Sequence, residues 1–198
     1  MKTAKSQSTC LRPAQAEDAP VLAQLVNYAS EGMALYLWEK MATEGQSGWD
    51  IGKQRAARET GSFSYRNAMI VEHDGAAAGT LIGYEIPEAP EPVPPDTPAI
   101  FVPLQELENL APGTWYVNIL AVLPQFRNIG LGSRLLALAD ETGAELGKRG
   151  MSVVVADTNA GAQRLYLSFD YAEAARRPMV NEDWITEGQE WVLLTKEI

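Results

Sequence analysis

The sequence predicts an α/β protein built on a central mixed sheet with helices on both faces. Three observations carry that expectation. Residues 114–122, "TWYVNILAV", and 151–157, "MSVVVAD", are apolar on both faces, the mark of doubly buried strands. Between them lie a glycine-bearing loop and a leucine-rich stretch, so the two strands form a βαβ unit and run parallel. Upstream, over residues 67–86, apolar runs flank Asp74-Gly75, a strong hairpin signal.

The remaining elements follow in order. Residues 1–8 read as a flexible tail before one domain over 9–198. "TCLRPAQ" (9–15) reads as a short strand. Residues 17–32 read as a helix with Leu22, Leu25 and Val26 on one face, and 33–42 as a second helix. "GQSGWDIG" breaks that helix, and "KQRAARETG" is a further helical piece. Residues 87–113 hold eight of the twelve prolines, five acidic residues and no Lys or Arg, which marks a long acidic connection with one short helix near Leu104–Leu110. Residues 133–149 read as a helix with a stripe of Leu135, Leu138, Ala139 and Leu146, ending at Gly150. Residues 160–169 form another helix, and 171–178 and 190–197 the last strands.

Composition excludes several classes. A formal charge of −10 argues against nucleic acid, whose phosphates need a basic surface. No apolar run of about 18 residues spans a membrane, and the N-terminus lacks an apolar secretion signal. The single cysteine, Cys10, rules out an internal disulfide framework and favours a reducing compartment, so a cytoplasmic location is expected. No His/Cys cluster has metal-ligand spacing, and His73 beside the hairpin turn reads as a surface residue. Residues 121–170 balance five basic against five acidic side chains, so the rest of the chain carries the whole charge of −10.

"RNIGLGSRLL", residues 127–136, lies within the neutral segment. A dinucleotide fingerprint needs a third glycine where Leu135 stands, and a P-loop needs Lys after the second glycine where Ser133 stands. What remains is R-x-x-G-x-G between a buried strand and a helix. Two readings stay open on these residues alone. One is a tight strand-to-helix turn. The other is an anion cradle, in which N–H groups at a helix N-terminus converge on a phosphate. Gly130 and Gly132 would permit close approach and Arg127 a charge-assisted bond.

"ILAVLPQFRNIGLGSRLL" followed by "DTNAGAQRLYLSFDY" resembles the GCN5-related N-acetyltransferase (GNAT) superfamily. The resemblance rests on V-x-P before R-x-x-G-x-G, then N-x-x-A-x-x-L-Y about thirty residues on, and covers roughly residues 114–172. It implies acetyl-CoA as donor and a primary amine as acceptor, attacked directly without metal. Carried over by position, Arg127, Asn128, Ile129, Gly130, Leu131, Gly132 and Ser133 would hold the pyrophosphate. Leu120, Ala121 and Val122 would pair with the pantetheine arm as with an extra strand. Asn159 and Ala162 would contact the cofactor, and Tyr166 would protonate the departing thiolate. The family commonly has Gly where this chain has Asp170, and Asp tolerates the left-handed turn better than most residues.

Other assignments stay open. Glu85, Glu31, Asp157 and a water held by Asn118 compete for the general base. Tyr28, Tyr36, Trp38 and Trp49 fall where such enzymes place acceptor helices, or else simply pack. The acid outside the cofactor segment suits a small cationic amine. The alternatives to an acetyltransferase are a non-catalytic acyl-CoA-binding or regulatory module and an acyltransferase for longer chains. A homodimer remains an open assembly alternative.

Overall fold

The computed structural model describes residues 8–198. Seven strands form one mixed sheet: β1 Thr9–Pro13, β2 Ala68–His73, β3 Ala76–Glu85, β4 Trp115–Val122, β5 Gly150–Ala156, β6 Ala172–Pro178 and β7 Glu190–Glu197. Six α-helices accompany them: α1 Ala19–Ala29, α2 Met33–Met41, α3 Gly48–Ala56, α4 Val102–Glu108, α5 Leu131–Glu145 and α6 Ala160–Leu167. The sheet order is β1-β2-β3-β4-β5-β7-β6. β4 and β5 run parallel, whereas β1–β2, β2–β3, β5–β7 and β6–β7 are antiparallel.

The predicted hairpin forms as expected. Asp74 and Gly75 both take positive φ, 51° and 80°, which matches the right-handed twist of the flanking strands. Ser8, expected at the end of a flexible tail, is instead tied to Asp74. Its N–H donates to Oδ1 at 3.0 Å, and the Asp74 N–H donates to its carbonyl at 2.9 Å. The expectation for residues 1–7 lies outside the described residues.

The described residues fall into two compact units, the first made of the chain up to Ile82 with Ile119–Leu135, the second of Gly83–Asn118 with Leu136–Ile198. In the first, α1, α2 and α3 pack on one another. Leu22, Ala23, Trp38, Ile51, Ala56, Ile70 and Ile82 belong to one buried apolar cluster. In the second, α4 packs against β5, β6 and β7. There the Thr114 and Ser152 hydroxyls meet at 2.7 Å, and the Thr114 hydroxyl is also 2.7 Å from the Ala111 carbonyl, so two buried polar side chains are satisfied.

Several expectations need correction. The helix expected from residue 53 begins at Gly48, and "GQSGWDIG" is mostly helix rather than a break. Ser47 and Asp50 form a reciprocal capping box, which outweighs two glycines of low helix propensity. The helix expected over 133–149 starts two residues earlier and ends at Glu145. Gly147, with φ 64°, follows its end, while Gly150 opens β5. Leu146 is half-exposed rather than part of the stripe, which Leu131, Leu135, Leu136 and Ala139 provide. The predicted β4 is buried on both faces only at Trp115, Tyr116 and Val117; beyond them Asn118, Leu120 and Val122 are half-buried, alternating with buried Ile119 and Ala121.

Candidate active site

The first unit carries the glycine loop. After β4, Pro124 opens a short 3-10 turn and the chain emerges at Arg127. Asn128 and Gly130 take φ 62° and 85°, two left-handed residues in three. This turns the backbone into α5. The Arg134 N–H donates to the Gly130 carbonyl at 3.1 Å, the first bond of the helix. The preceding N–H groups of Leu131, Gly132 and Ser133 therefore have no acceptor within the helix. A Cβ on Gly130 would meet nothing within 4 Å, so the space above the turn is open. Residues 127–130 are exposed. Arg127 is fixed at the rim: its Nε donates to the Val122 carbonyl at 3.1 Å, and its guanidinium lies 6.0 Å from the Tyr28 ring centroid. N–H groups, helix dipole and guanidinium thus converge at one exposed turn, which fits a pyrophosphate.

β4 leaves its parallel partner well before its own end. Its register to β5 runs over Trp115↔Met151 and Tyr116↔Ser152. Leu120, Ala121 and Val122 lie beyond that ladder. On its other neighbour the approach is close: a Cβ on Gly79 of β3 would lie 2.6 Å from the Ala121 carbonyl oxygen.

The second unit carries Tyr166 and Asn159. Asn159 caps α6, its Oδ1 accepting from the Ala162 N–H at 3.0 Å. The Asn159 and Ala162 side of the motif is thus a helix-start device. Tyr166 is buried on α6, its ring 5.4 Å from Tyr171. Burial pushes its hydroxyl well above the usual tyrosine range, so it stays protonated at neutral pH.

The four base candidates are placed differently. Glu85 pairs with Lys148. The Asp157 Oδ1 accepts from the Gln189 N–H at 3.1 Å, fixing the approach to β7. Glu31 takes a left-handed φ of 52° in the α1–α2 connection, and Asn118 is half-buried in β4. The aromatic set separates as well. Trp38 is core, stacked on Phe63 at 5.8 Å, and the Lys40 ammonium already lies 4.4 Å from the Tyr36 ring centroid. Tyr28 and Trp49 line a groove of about 660 Å³ with Pro20, Gln24, Asn27 and Lys53. Cys10 and His73 do not pair. Cys10 Sγ donates to Glu72 at 3.4 Å, while the Thr9 hydroxyl meets His73 Nδ1 at 2.9 Å.

Sequence reasoning passes over Glu108. Its Oε2 accepts from the Tyr84 hydroxyl at 3.1 Å, and burial raises its pKa above the usual glutamate range. Its only signal is one acidic residue among five in the Pro-rich connection.

A mixed sheet with a parallel central pair carries an N–H cradle between strand and helix that suits the phosphates of an acyl-CoA. The profile of the acetyltransferase (GNAT) family matches residues 33–171, and the chain belongs to that family. It is an acetyl-CoA-dependent N-acetyltransferase. Among solved structures, the chain is similar to one described as an acetyltransferase, at 25% identity and TM-score 0.65, covering 96% of this chain and 99% of that one. It also resembles an N-acetyltransferase from Staphylococcus aureus Mu50, at 16% identity and TM-score 0.66, covering 94% and 100%. A third is a GNAT family acetyltransferase from Elizabethkingia anophelis with acetyl-CoA bound, at 16% identity and TM-score 0.57, covering 96% and 98%. No curated protein matches the chain. Among the described residues, no helix is long and apolar enough to cross a membrane.

Proposed function

We propose that this acetyltransferase modifies a small amine that keeps a positive charge elsewhere in the molecule. The observation that carries the reading of the donor site is the cradle of Leu131, Gly132 and Ser133 N–H groups beside Arg127. Acetyl-CoA supplies the activated acetyl group. In this reading Arg127 through Ser133 hold its pyrophosphate, Leu120 through Val122 align the pantetheine arm by strand addition, and Asn159 and Ala162 open the helix beside it. Tyr166 donates its proton to the leaving sulfur. Its buried, protonated hydroxyl supports that role. We read residues 9–198 as one domain, because the family match crosses both units.

The charge distribution supports a cationic acceptor. The cofactor segment 121–170 is neutral and the remainder carries −10, including five acidic residues and no base over 87–113. A negative field speeds arrival of a cation, and salt weakens the effect. The test is an amine panel with thiol release as readout: 1,4-diaminobutane, 2-phenylethylamine and glutamate, at low and raised ionic strength. Diaminobutane should react fastest, and its advantage should shrink with salt. Equal rates, or a preference for glutamate, would refute the reading.

A further inference from the structure

We infer that the groove between α1 and α3 holds the adenosine 3′-phosphate of the donor, with the base against Tyr28 and Trp49 and the 3′-phosphate at Lys53. This rests on the acetyl-CoA reading of the glycine loop above. It assigns Tyr28 and Trp49 to the donor rather than to the acceptor.

Groove and loop are continuous within the first unit. Leu25, buried on α1, clusters with Ala121 and Leu123 around the end of β4, and Phe126 of the turn that leads into the loop packs on the same cluster. One helical turn on from Leu25, the Tyr28 ring centroid lies 6.0 Å from the Arg127 guanidinium, and Tyr28 also lines the groove. Cradle and groove therefore share a wall. In CoA the adenosine is joined directly to the pyrophosphate. A pyrophosphate held at Arg127 through Ser133 leaves its nucleoside beside that wall.

The lining suits a purine. The groove of about 660 Å³ falls within the size of small-molecule sites, roughly 300–1,000 Å³. Tyr28 is 47% exposed, so much of its ring lies uncovered. Trp49 is half-buried and set from behind by Trp38, the two rings 6.3 Å apart and edge to face. Two positioned aromatic rings offer stacking faces to a base. Gln24, exposed on α1, brings an amide with both donors and an acceptor for the base edge.

The charge has the right sign. Among the described residues that line the groove, Lys53 is the one charged side chain, in a chain of net charge −10. A lone lysine repels the cationic acceptor of the proposed function and attracts a phosphate. Lys53 pairs with Asp50 at 3.0 Å, but both side chains are nearly half exposed, and such pairs contribute little. Asp50 is held by the helix cap instead: its Oδ2 accepts from the Ser47 N–H at 3.1 Å and from the Ser47 hydroxyl at 2.7 Å. Lys53 can turn to a phosphate while the carboxylate stays in the cap.

The test is calorimetric titration of the full chain with CoA and with dephospho-CoA, which lacks only the 3′-phosphate. The parent should bind CoA on the order of tenfold more tightly. Lys53→Gln, a surface change, should bring CoA down to the level of dephospho-CoA and leave dephospho-CoA unchanged. Trp49→Leu should weaken both roughly 5–150-fold and keep their ratio. If Trp49→Leu does not fold, the lysine arm decides. Equal binding of the two nucleotides by the parent, or a Lys53→Gln variant that loses both equally or neither, overturns the inference and leaves the proposed function standing. Unchanged CoA binding with an altered KM for the amine in Lys53→Gln gives the groove to the acceptor and overturns it too. A parent that binds neither nucleotide overturns the donor reading as well.

Discussion

Tyr166 and Tyr171 lie with their rings 5.4 Å apart, and a carboxylate ties the second of them down. The Tyr171 hydroxyl donates to Asp140 Oδ1 at 3.2 Å, and the same carboxylate holds Lys196. Tyr171 is thereby fixed by α5 and β7. Tyr166 takes its position from packing against that anchored ring, and burial keeps its hydroxyl protonated. An anchored neighbour and a protonated donor are what a general acid needs.

Tyr166→Phe should cost little stability, because the ring still packs on Tyr171. Turnover should fall on the order of 10²–10⁴-fold if the hydroxyl is the acid. Because burial raises its pKa, the parent's acid should remain protonated through neutral and mildly alkaline pH, so the loss should be flat across that range. The CoA-dependent rise in Tm should be unchanged. Parental turnover in the variant would reduce Tyr166 to a packing residue.

Gly130→Val tests the cradle. Gly130 has φ 85°, and a Cβ there meets nothing within 4 Å. The substitution creates no clash inside the protein, and its cost is backbone strain of about 1–2 kcal/mol. The added bulk stands where a phosphate would approach the N–H groups. The expected result is a modestly lower Tm with no rise on adding millimolar CoA, against a clear rise in the parent. A full rise in the variant would remove the loop from the binding site.

Much of this is legible in the sequence because local chemistry decides it. Asp74-Gly75 sets the hairpin, two apolar strands set the parallel pair, and R-x-x-G-x-G sets the turn into α5. The start of that helix is hidden because Gly132 looks like loop, although a glycine in the first turn costs only about 1 kcal/mol. The start of α3 is hidden for a similar reason. Gly52 lies inside it because Trp38 needs the room: a Cβ there would sit 2.5 Å from its ring. That demand comes from tertiary packing and leaves no periodic trace. Glu108 is illegible because its partner, Tyr84, is 24 residues away on β3. Only the fold brings them together.

A pH-dependent contribution to stability comes from Asp18. It accepts from Arg12 Nη1 at 2.7 Å, from Arg12 Nη2 at 2.9 Å and from the Gln15 N–H at 2.8 Å. The Arg12 guanidinium lowers its pKa below the ordinary 3.8, and the Gln15 N–H adds to this against burial. A depressed folded pKa means stability present above the unfolded value and lost as pH falls through the folded one. Asp18→Asn should cost about 1–3 kcal/mol at pH 7. Denaturant titrations of parent and variant should converge below pH 3.8. An equal gap at pH 7 and in acid would show that the loss is not electrostatic.

The last prediction concerns the departure from the family pattern at Asp170. The residue takes φ 66°, so the left-handed turn survives without glycine. The Asp170 N–H donates to the Leu167 carbonyl at 3.2 Å, and the Tyr171 N–H to the Tyr166 carbonyl at 3.2 Å, which closes the end of α6 and sets Tyr171 against Tyr166. A left-handed L-residue carries about 1–2 kcal/mol of strain, less for Asp than for branched residues. Asp170→Gly should relieve it and give back part of the gain through the unfolded chain's extra freedom. The net change should lie within about 1 kcal/mol, on the stabilising side. Asp170→Val should lose at least as much as it strains, and its turnover should fall with it, because the turn that seats Tyr171 also seats Tyr166. Thermal melts and kcat for the two variants decide the matter. Equal Tm for Asp170→Gly and Asp170→Val would show that the turn is not held in the left-handed region, and parental kcat in a destabilised Asp170→Val would uncouple it from Tyr166.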